Sequence, residues 1–303
     1  MRVIVLAFVL LLSLPSSTAS AQQSETAKTA EAAVQPQDFA PGIISTGHEF
    51  ALTFTPDGKV AYFTRNDPAK KLNHIFFSHN VDGAWQPAEQ TAFASDQYSD
   101  LDPFITPDGK KLFFVSNRPA PGADGSTKPN HNIWTAEWNG KEWTNLRYVE
   151  NVNSDTKEGS PTVAKNGTLC FFSDRGREAN SNSIYCAQWK NGAYQAPMKL
   201  GATVNAGPSD TSPFLAPDGK TLLFYSTRNG GAGKADLYAT FREHGEWSPA
   251  VNLGPVVNTP ESEYNPIVSR DGATLYFGRG GHILMVPLDQ LHIKDLTKKR
   301  FKR

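Results

Sequence analysis

A short phrase that repeats five times limits what this chain of 303 residues can fold into. Each copy is a turn built on Asp-Gly or Asn-Gly, and a pair of aromatic residues follows it. Consecutive copies are 51, 58, 52 and 53 residues apart. A repeat of this length is typical of supersecondary units that bury their apolar faces only by stacking side by side. The copies lie at 55–59, 106–110, 165–168, 216–220 and 269–273.

The fourth copy predicts four short antiparallel strands in each unit. Strand A covers 209–215, and a turn at Pro217-Asp218-Gly219 joins it to strand B at 221–226. Pro fixes φ, Asp bonds to the local backbone and Gly accepts a positive φ, which together favour a tight turn. Strand C covers 236–240, and a Gly-x-Trp turn leads into strand D at 249–253. Four antiparallel strands repeated radially are typical of the blades of a β-propeller.

The strand count predicts how the ring closes. The fifth copy contains strands A, B and C, but the chain after Leu288 has no recognisable strand D. The segment 41–46 resembles the linker that follows strand D in other copies, so we expect residues near 39–45 to complete the last blade. Such closure removes the exposed sheet edges. The predicted fold class is all-β: a five-bladed β-propeller with four antiparallel strands per blade, closed by an N-terminal strand. Too few residues remain for a sixth blade.

The two ends of the chain differ in composition from the repeats. Residues 1–21 combine Arg2, an apolar run and a small-residue cleavage site, which predicts a secretory signal peptide. We expect a flexible leader at 22–37, the propeller at 38–293 and a basic tail at 294–303. The tail is either a solvated end or a segment attracted to an anionic surface. The apolar run is too short to span a membrane, and no other stretch approaches that length.

Charge and residue counts exclude several partners. The 30 basic and 30 acidic residues cancel, which argues against a nucleic-acid partner. Cys170 and Cys186 fall nearly opposite each other if 173–183 is a hairpin loop. Because an exported chain meets oxidising conditions, we expect them to form a disulfide. The scattered histidines and the single cysteine pair indicate no metal site, and no cofactor motif is present.

The repeat resembles the TolB-type, WD-like Pro-Asp-Gly propeller repeat of bacterial envelope proteins. The resemblance rests on an acid followed by Pro and Asp-Gly, then apolar-Phe-x-Ser-x-Arg, then Asp-Leu-Tyr and Gly-x-Trp. It covers essentially the whole chain after the leader, and it implies a periplasmic or secreted location. It implies little about activity, since propellers include binding proteins, scaffolds and enzymes.

An acidic residue stands eight positions before each turn Asp or Asn. Because strand A is innermost in a propeller, we expect the five carboxylates to ring one mouth of the central channel. An Arg near the end of each strand B favours structural ion pairs, although a site for a cation or a polyhydroxylated ligand stays open. Arg65 and Arg279 lie two positions earlier than the other three. The acids are Glu49, Asp100, Glu158, Asp210 and Glu263, and the arginines are Arg65, Arg118, Arg175, Arg228 and Arg279.

Asp102 departs from the repeat, because the other copies carry Ala51, Ser160, Ser212 and Asn265 at its position. A residue that breaks the pattern is a better functional candidate than one that obeys it. We also expect the long polar B–C loops, of which 119–131 is the longest, on the face that carries the acids. The candidate ligand-binding residues at the channel mouth are Glu49, Asp100, Asp102, Glu158, Asp210, Glu263, Arg118, Arg175 and Arg228.

The sequence predicts an exported, monomeric binding or scaffolding module whose partner is an envelope protein or a carbohydrate. No catalytic residue can be named, since neither G-x-S-x-G nor H-E-x-x-H is present. The alternative is a carbohydrate-active enzyme, because five-bladed propellers include glycosidases with two or three carboxylates at the channel mouth. A metal-dependent lactonase or lyase is a further alternative. Acids in unequal environments would favour an enzyme, and acids that each pair with their own Arg would favour a structural ring.

Overall fold

The computed structural model describes residues 34–122, 130–176, 181–291 and 293. These residues form small antiparallel sheets arranged as the five blades of a β-propeller, which confirms the predicted fold class. The predicted signal peptide, the basic tail and the leader up to residue 33 lie outside the described residues.

The strands follow one another blade by blade along the chain. Strand β1 (Gln37–Asp38) belongs to the last blade. Blade 1 contains β2 (Glu49–Phe54), β3 (Val60–Asp67), β4 (Leu72–Val81), β5 (Ala84–Trp85) and β6 (Glu89–Gln90). Blade 2 contains β7 (Asp100–Ile105), β8 (Lys111–Ser116), β9 (Asn132–Trp138) and β10 (Trp143–Tyr148).

Blades 3 to 5 repeat this plan. Blade 3 contains β11 (Glu158–Val163), β12 (Leu169–Ser173), β13 (Ser183–Ala187) and β16 (Met198–Lys199), with a side ribbon of β14 (Trp189–Lys190) and β15 (Ala193–Tyr194). Blade 4 contains β17 (Asp210–Leu215), β18 (Thr221–Ser226), β19 (Asp236–Glu243), β20 (Glu246–Trp247) and β21 (Val251–Asn252). Blade 5 contains β22 (Tyr264–Val268), β23 (Thr274–Arg279) and β24 (His282–Pro287), followed by a 3₁₀ helix at Leu288–Leu291.

The N-terminal strand closes the ring, but it lies earlier than expected. Gln37 pairs with Met285 and Asp38 with Leu284 on β24, whereas residues 39–45 form the turn that follows. That turn remains tied to β24, because the Ser45 hydroxyl donates to the carbonyl of Ile283 at 2.8 Å and accepts from its N–H at 2.9 Å. The strand therefore lies a few residues earlier than the expected 39–45. The N–H of Phe39 still donates to the carbonyl of Ile283 at 2.8 Å, and the Ser45 side chain makes the contact further along.

The same tie recurs in the linkers between blades. Asn153 accepts from the N–H of Ile133 at 2.7 Å and donates to its carbonyl at 2.9 Å. Asn205 does the same to Ile184, and Asn258 to Leu237. Each amide thus satisfies two backbone groups of the third strand of the blade that the chain has just left. The Val-Asn step of the repeat is explained by this contact.

Aromatic packing fills the space within and between blades. One Phe from the second strand of every blade is completely buried: Phe63, Phe114, Phe171, Phe224 and Phe277. Between blades, the aromatic residue of the Gly-x-Trp turn packs against the preceding blade. The ring centroids of Trp143 and Tyr62 are 6.1 Å apart, and those of Tyr194 and Phe113 are 6.3 Å apart. These contacts support packing rather than ligand stacking at this repeat position.

The disulfide predicted for Cys170 and Cys186 is present. The two residues are direct partners on β12 and β13, so the cross-strand bridge follows from the register. Within the described residues, no helix is long and apolar enough to cross a membrane.

Closure by β1 predicts different results for two N-terminal truncations. Removing residues 22–33 should leave the melting temperature unchanged, because β1 keeps its place on β24. Removing residues 22–46 takes away β1, the core side chains Phe39 and Ile44, and the Ser45 tie. The melting temperature should then fall by about 10 °C or more, measured by circular dichroism. Equal melting curves for the two truncations would contradict this closure.

Candidate functional site

Five buried ion pairs surround the axis of the propeller, one in each blade. Each acid lies at the start of the innermost strand, as its first residue or, for Glu263, just before it. The acid side chain is completely buried, whereas the partner Arg is 13% to 23% exposed. The separations are 2.6 Å for Arg65–Glu49, 2.7 Å for Arg175–Glu158, 3.2 Å for Arg228–Asp210 and 2.9 Å for Arg279–Glu263, and Arg118 pairs with Asp100 in the same way.

Two registers explain why the arginines occupy two positions in the repeat. Arg65 lies directly opposite Glu49 on the neighbouring strand and donates through Nε. In blade 4 a serine, Ser226, takes the position opposite Asp210, and Arg228 reaches back from two residues further on. Blades 2 and 3 follow blade 4, and blade 5 follows blade 1. The different spacing in the sequence thus produces the same ion pair.

Each arginine also donates a hydrogen bond to the linker that leads into its blade. The terminal Nη2 donates to a linker carbonyl at 2.5 to 2.8 Å in all five blades. The guanidinium lies over the buried Phe of its own blade, as Arg228 does over Phe224 at 5.0 Å. A charge-assisted bond, a backbone bond and a cation–π contact therefore converge on one side chain. The carbonyls are those of Ile43, Phe93, Val152, Val204 and Val257.

Glu49 differs from Asp100 and Glu158 in its electrostatic environment. Burial raises the pKa of Asp100 and of Glu158, and the partner arginines oppose that rise. Burial also opposes ionisation of Glu49, but bonds from Thr46, Arg65 and His48 outweigh it and hold the pKa of Glu49 below its usual value. The inequality follows from the number of local donors, because Glu49 accepts three backbone N–H bonds.

The channel surface is formed two positions after the acids. There the innermost strands bulge, and Ala51, Asp102, Ser160, Ser212 and Asn265 all adopt a φ between 47° and 52°. The bulge turns these side chains towards a narrow cavity of about 30 Å³ on the propeller axis. Of the nine candidate residues only Asp102 lines this cavity. The other eight lie behind it in the five pairs. That the five acids ring one mouth of the channel as a ligand site stays a prediction.

Asp102 is a buried carboxylate that lacks a cationic partner among the described residues. Its Oδ2 accepts from the N–H of Ser160 at 2.9 Å and from the Ser160 hydroxyl at 3.0 Å, and Asn265 reaches that hydroxyl from across the channel at 3.4 Å. Burial raises the pKa of Asp102, and the two bonds from Ser160 oppose that rise. The positive φ and the uncompensated charge both cost stability, a combination that is common at functional sites.

The other end of the channel is narrowed by Arg270. This residue occupies the position of Pro in the turns of blades 1, 2 and 4, and its Nη2 donates to the carbonyls of Phe54 at 2.9 Å and Ile105 at 3.0 Å. Blade 5 is thereby joined to blades 1 and 2 across the axis. Among the described residues, these contacts narrow the end of the channel opposite Asp102. The absence of Pro from this turn is visible in the sequence, but the carbonyls that Arg270 contacts across the ring are not.

Two of the loops expected around the end that carries Asp102 are described only in part. The longest, 119–131, includes residues 123–129, and the loop of blade 3 includes residues 177–180, all of them outside the described residues. Within the described part of the chain, no three His, Cys, Asp or Glu side chains are grouped closely enough to hold a metal ion.

Comparison with solved structures supports the fold and does not assign a family. No protein-family model and no curated protein sequence matches the chain. The endo-arabinase of Bacteroides thetaiotaomicron VPI-5482 is similar in fold, with a TM-score of 0.55 and 14% identity over 84% of this chain and 98% of that chain. The α-L-arabinofuranosidase of Lactobacillus brevis has a TM-score of 0.54 and 15% identity over 84% and 94%.

TolB of Acinetobacter baumannii is a weaker structural match. Its TM-score is 0.45 and its identity 18%, over 79% of this chain. The present chain spans 54% of the length of that TolB structure. At these identities the similarity concerns the fold alone.

A double-mutant cycle tests whether the buried pairs are structural. Asp210→Asn should lower the free energy of unfolding by about 2–4 kcal/mol, because Arg228 loses its counter-charge in a buried site. Adding Arg228→Gln should recover part of that loss, since the two side chains are coupled. The exposed pair Lys70–Asp96 supplies the control, and Asp96→Asn should have no measurable effect. Strictly additive losses at Asp210 and Arg228 in urea unfolding would contradict the pairing.

Proposed function

We propose that the protein is an exported, non-catalytic binding module of the bacterial envelope, which offers the end of its channel that carries Asp102 to a protein or carbohydrate partner. The observation that carries the proposal is the arrangement of the acids. Five of the six candidate carboxylates are each bonded to an arginine, and a sixth, Asp102, faces the channel without one. Glycoside hydrolysis usually needs two carboxylates that both reach the substrate.

Asp102 is the side chain that we propose contacts the ligand. It shares the channel end with Ser160, Ser212 and Asn265, which offer hydroxyl and amide groups. Such groups suit a hydroxyl-bearing ligand or the polar edge of a protein loop. The other acids and their arginines hold the blades around this group.

An exported location is supported by two observations. The start of the sequence has the composition of a signal peptide. The bridge between Cys170 and Cys186 is also characteristic of proteins that fold in an oxidising compartment.

The second candidate function is that of a glycosidase. It is favoured by the overall similarity to an endo-arabinase and an arabinofuranosidase, each matched over nearly its full length. The raised pKa of Asp102 would suit a general acid. Incubating the purified protein with arabinan and with 4-nitrophenyl arabinofuranoside separates the two candidates. Release of sugar that Asp102→Asn abolishes would overturn the binding proposal, whereas we expect no hydrolysis from either protein.

Replacing Asp102 tests whether its buried charge lowers the stability of the native state. Because the native pKa is raised above that of the unfolded chain, the native state binds the proton more tightly, and stability decreases as pH rises through the interval between the two values. Asp102→Asn should therefore raise the melting temperature at pH 7, and the gain should disappear below about pH 4.

Glu49→Gln is the matched control for this prediction, since Glu49 begins the equivalent strand of blade 1, bonds to Arg65 and has a pKa held below its usual value. It should lower the melting temperature at pH 7. A fall of similar size for Asp102→Asn would mean that Asp102 has a structural role, and the proposed contact with a ligand would be abandoned.

A further inference from the structure

A concave groove of about 720 Å³ lies between blades 1 and 2, on the side of the propeller that carries the Asp-Gly turns. Its inner end is the contact between two of those turns, where Gly109 approaches Pro56 so closely that a Cβ on the glycine would meet the proline ring at 2.7 Å. Its outer end is the hairpin of blade 2 that holds Lys141 and Glu142. The volume falls within the usual range of small-molecule sites, about 300–1,000 Å³.

The floor of the groove is a continuous row of aromatic rings. Phe77 stacks on Tyr62 at 5.6 Å, Tyr62 contacts the edge of Trp143 at 6.1 Å, and Trp143 contacts Trp138 at 5.1 Å. Tyr62 and Trp143 are buried by these contacts, whereas Trp138 is 41% exposed. A rigid aromatic surface with one open ring at its end is suited to an apolar body or to a cation held over the ring face.

The rim of the groove is acidic. Asp57 and Asp108 come from the two turns, and Glu89 and Glu142 come from the outer strands and hairpin. Asp57 and Asp108 each use one oxygen, Oδ1, to fix their turn. Lys141 is the one lysine or arginine in the described lining, although Lys59 and Lys110 stand two residues after the turn acids. Four carboxylates against one ammonium give the groove itself an excess of negative charge.

The equivalent groove between blades 3 and 4 has the opposite character, which makes it an internal comparison. It is smaller, about 310 Å³, and its charged lining residues are Lys190 and Arg242. Asn166 replaces the turn acid, and no carboxylate lines it within the described residues. A half-exposed indole is present here too, that of Trp189. The acidic rim is therefore not shared by the groove between blades 3 and 4.

The linker beside the acidic groove also departs from the repeat. Ala94 follows Phe93 where the later linkers place Asn153, Asn205 and Asn258, so the amide tie described above is missing at this linker. The adjacent residues Thr91 and Phe93 line the groove. Its wall is consequently held by fewer contacts than its counterparts, as is common in parts of a protein that adjust to a ligand.

From these features we infer that the groove between blades 1 and 2 binds an organic cation that carries an apolar body. The ammonium or guanidinium lies over the face of Trp138 and is neutralised by Glu89 and Glu142, while the apolar body covers the aromatic floor. This inference goes beyond the proposed function and does not depend on the channel, so either can fail without the other.

The test is a calorimetric titration with phenethylamine as the probe and 2-phenylethanol as its neutral counterpart. The amine should bind at least about tenfold more tightly than the alcohol, and the difference should shrink as salt is added. A free amine and a lysine side chain offer the same chemistry. The blocked tripeptide acetyl-Phe-Lys-Phe-amide is therefore titrated in parallel, and tighter binding of the tripeptide would identify a peptide as the source of the cation.

Matched variants locate the binding. Trp138→Ala should weaken amine binding about tenfold, as should Glu89→Gln combined with Glu142→Gln. Trp189→Ala changes a similarly exposed indole in the other groove, and Glu246→Gln changes the residue of blade 4 that matches Glu142; both should leave amine binding unchanged. Circular dichroism shows whether each variant is folded, and Trp138→Phe replaces Trp138→Ala if the alanine variant is not. Equal affinity for the amine and the alcohol, or amine binding unaffected by the changes at Trp138 and at the two glutamates, would overturn the inference.

Discussion

A buried arginine that binds a carboxylate and a backbone carbonyl at once is the interaction on which the rest of this propeller depends. In each blade the guanidinium joins the start of the innermost strand, through the acid, to the linker from the preceding blade, through the carbonyl. Except between blades 1 and 2, where Ala94 takes this position, the linker is held from the other side by an Asn or, at the closure, by Ser45. Neighbouring blades share few backbone ladder bonds, so these side chains fix where each blade begins. The apolar faces can then stack around an axis.

In this arrangement the residues that form the ion pairs are not the residue that faces the channel, whereas the sequence predicted both roles for the same acids. The acids of the repeat are neutralised one by one, which removes the repulsion that five converging carboxylates would otherwise feel. The bulge that follows each acid turns a different side chain towards the axis, and only blade 2 places a carboxylate there. Asp102 thus occupies a position that takes no part in the ion pairs of the repeat. Burying its carboxylate without a cation lowers the stability of the fold, and a contact with a ligand would explain why such a residue is kept.

Features that recur in every copy could be predicted from the sequence. The blade count, the order of strands and the disulfide follow from the spacing of the turns, because five similar copies constrain one another. What failed depended on local geometry or on contacts between distant blades. The bulges that follow the acids place other side chains on the channel surface, and β1 pairs with β24 a few residues earlier than expected. Arg270 and the acidic groove result from residues that meet only across blades, and no spacing within one repeat indicates them.

The most direct test of this account compares all five acids in one experiment. Each acid is replaced by its amide (Glu49→Gln, Asp100→Asn, Glu158→Gln, Asp210→Asn and Glu263→Gln), alone and together with Gln in place of the arginine of the same blade, and the free energies of unfolding are measured in urea at pH 7. If each acid holds a blade through its arginine, the two changes are non-additive in every blade, with a coupling energy of about 0.5–3 kcal/mol. If the two changes were instead additive in one or two blades, those acids would belong to a functional site and the structural account of the ring would be contradicted.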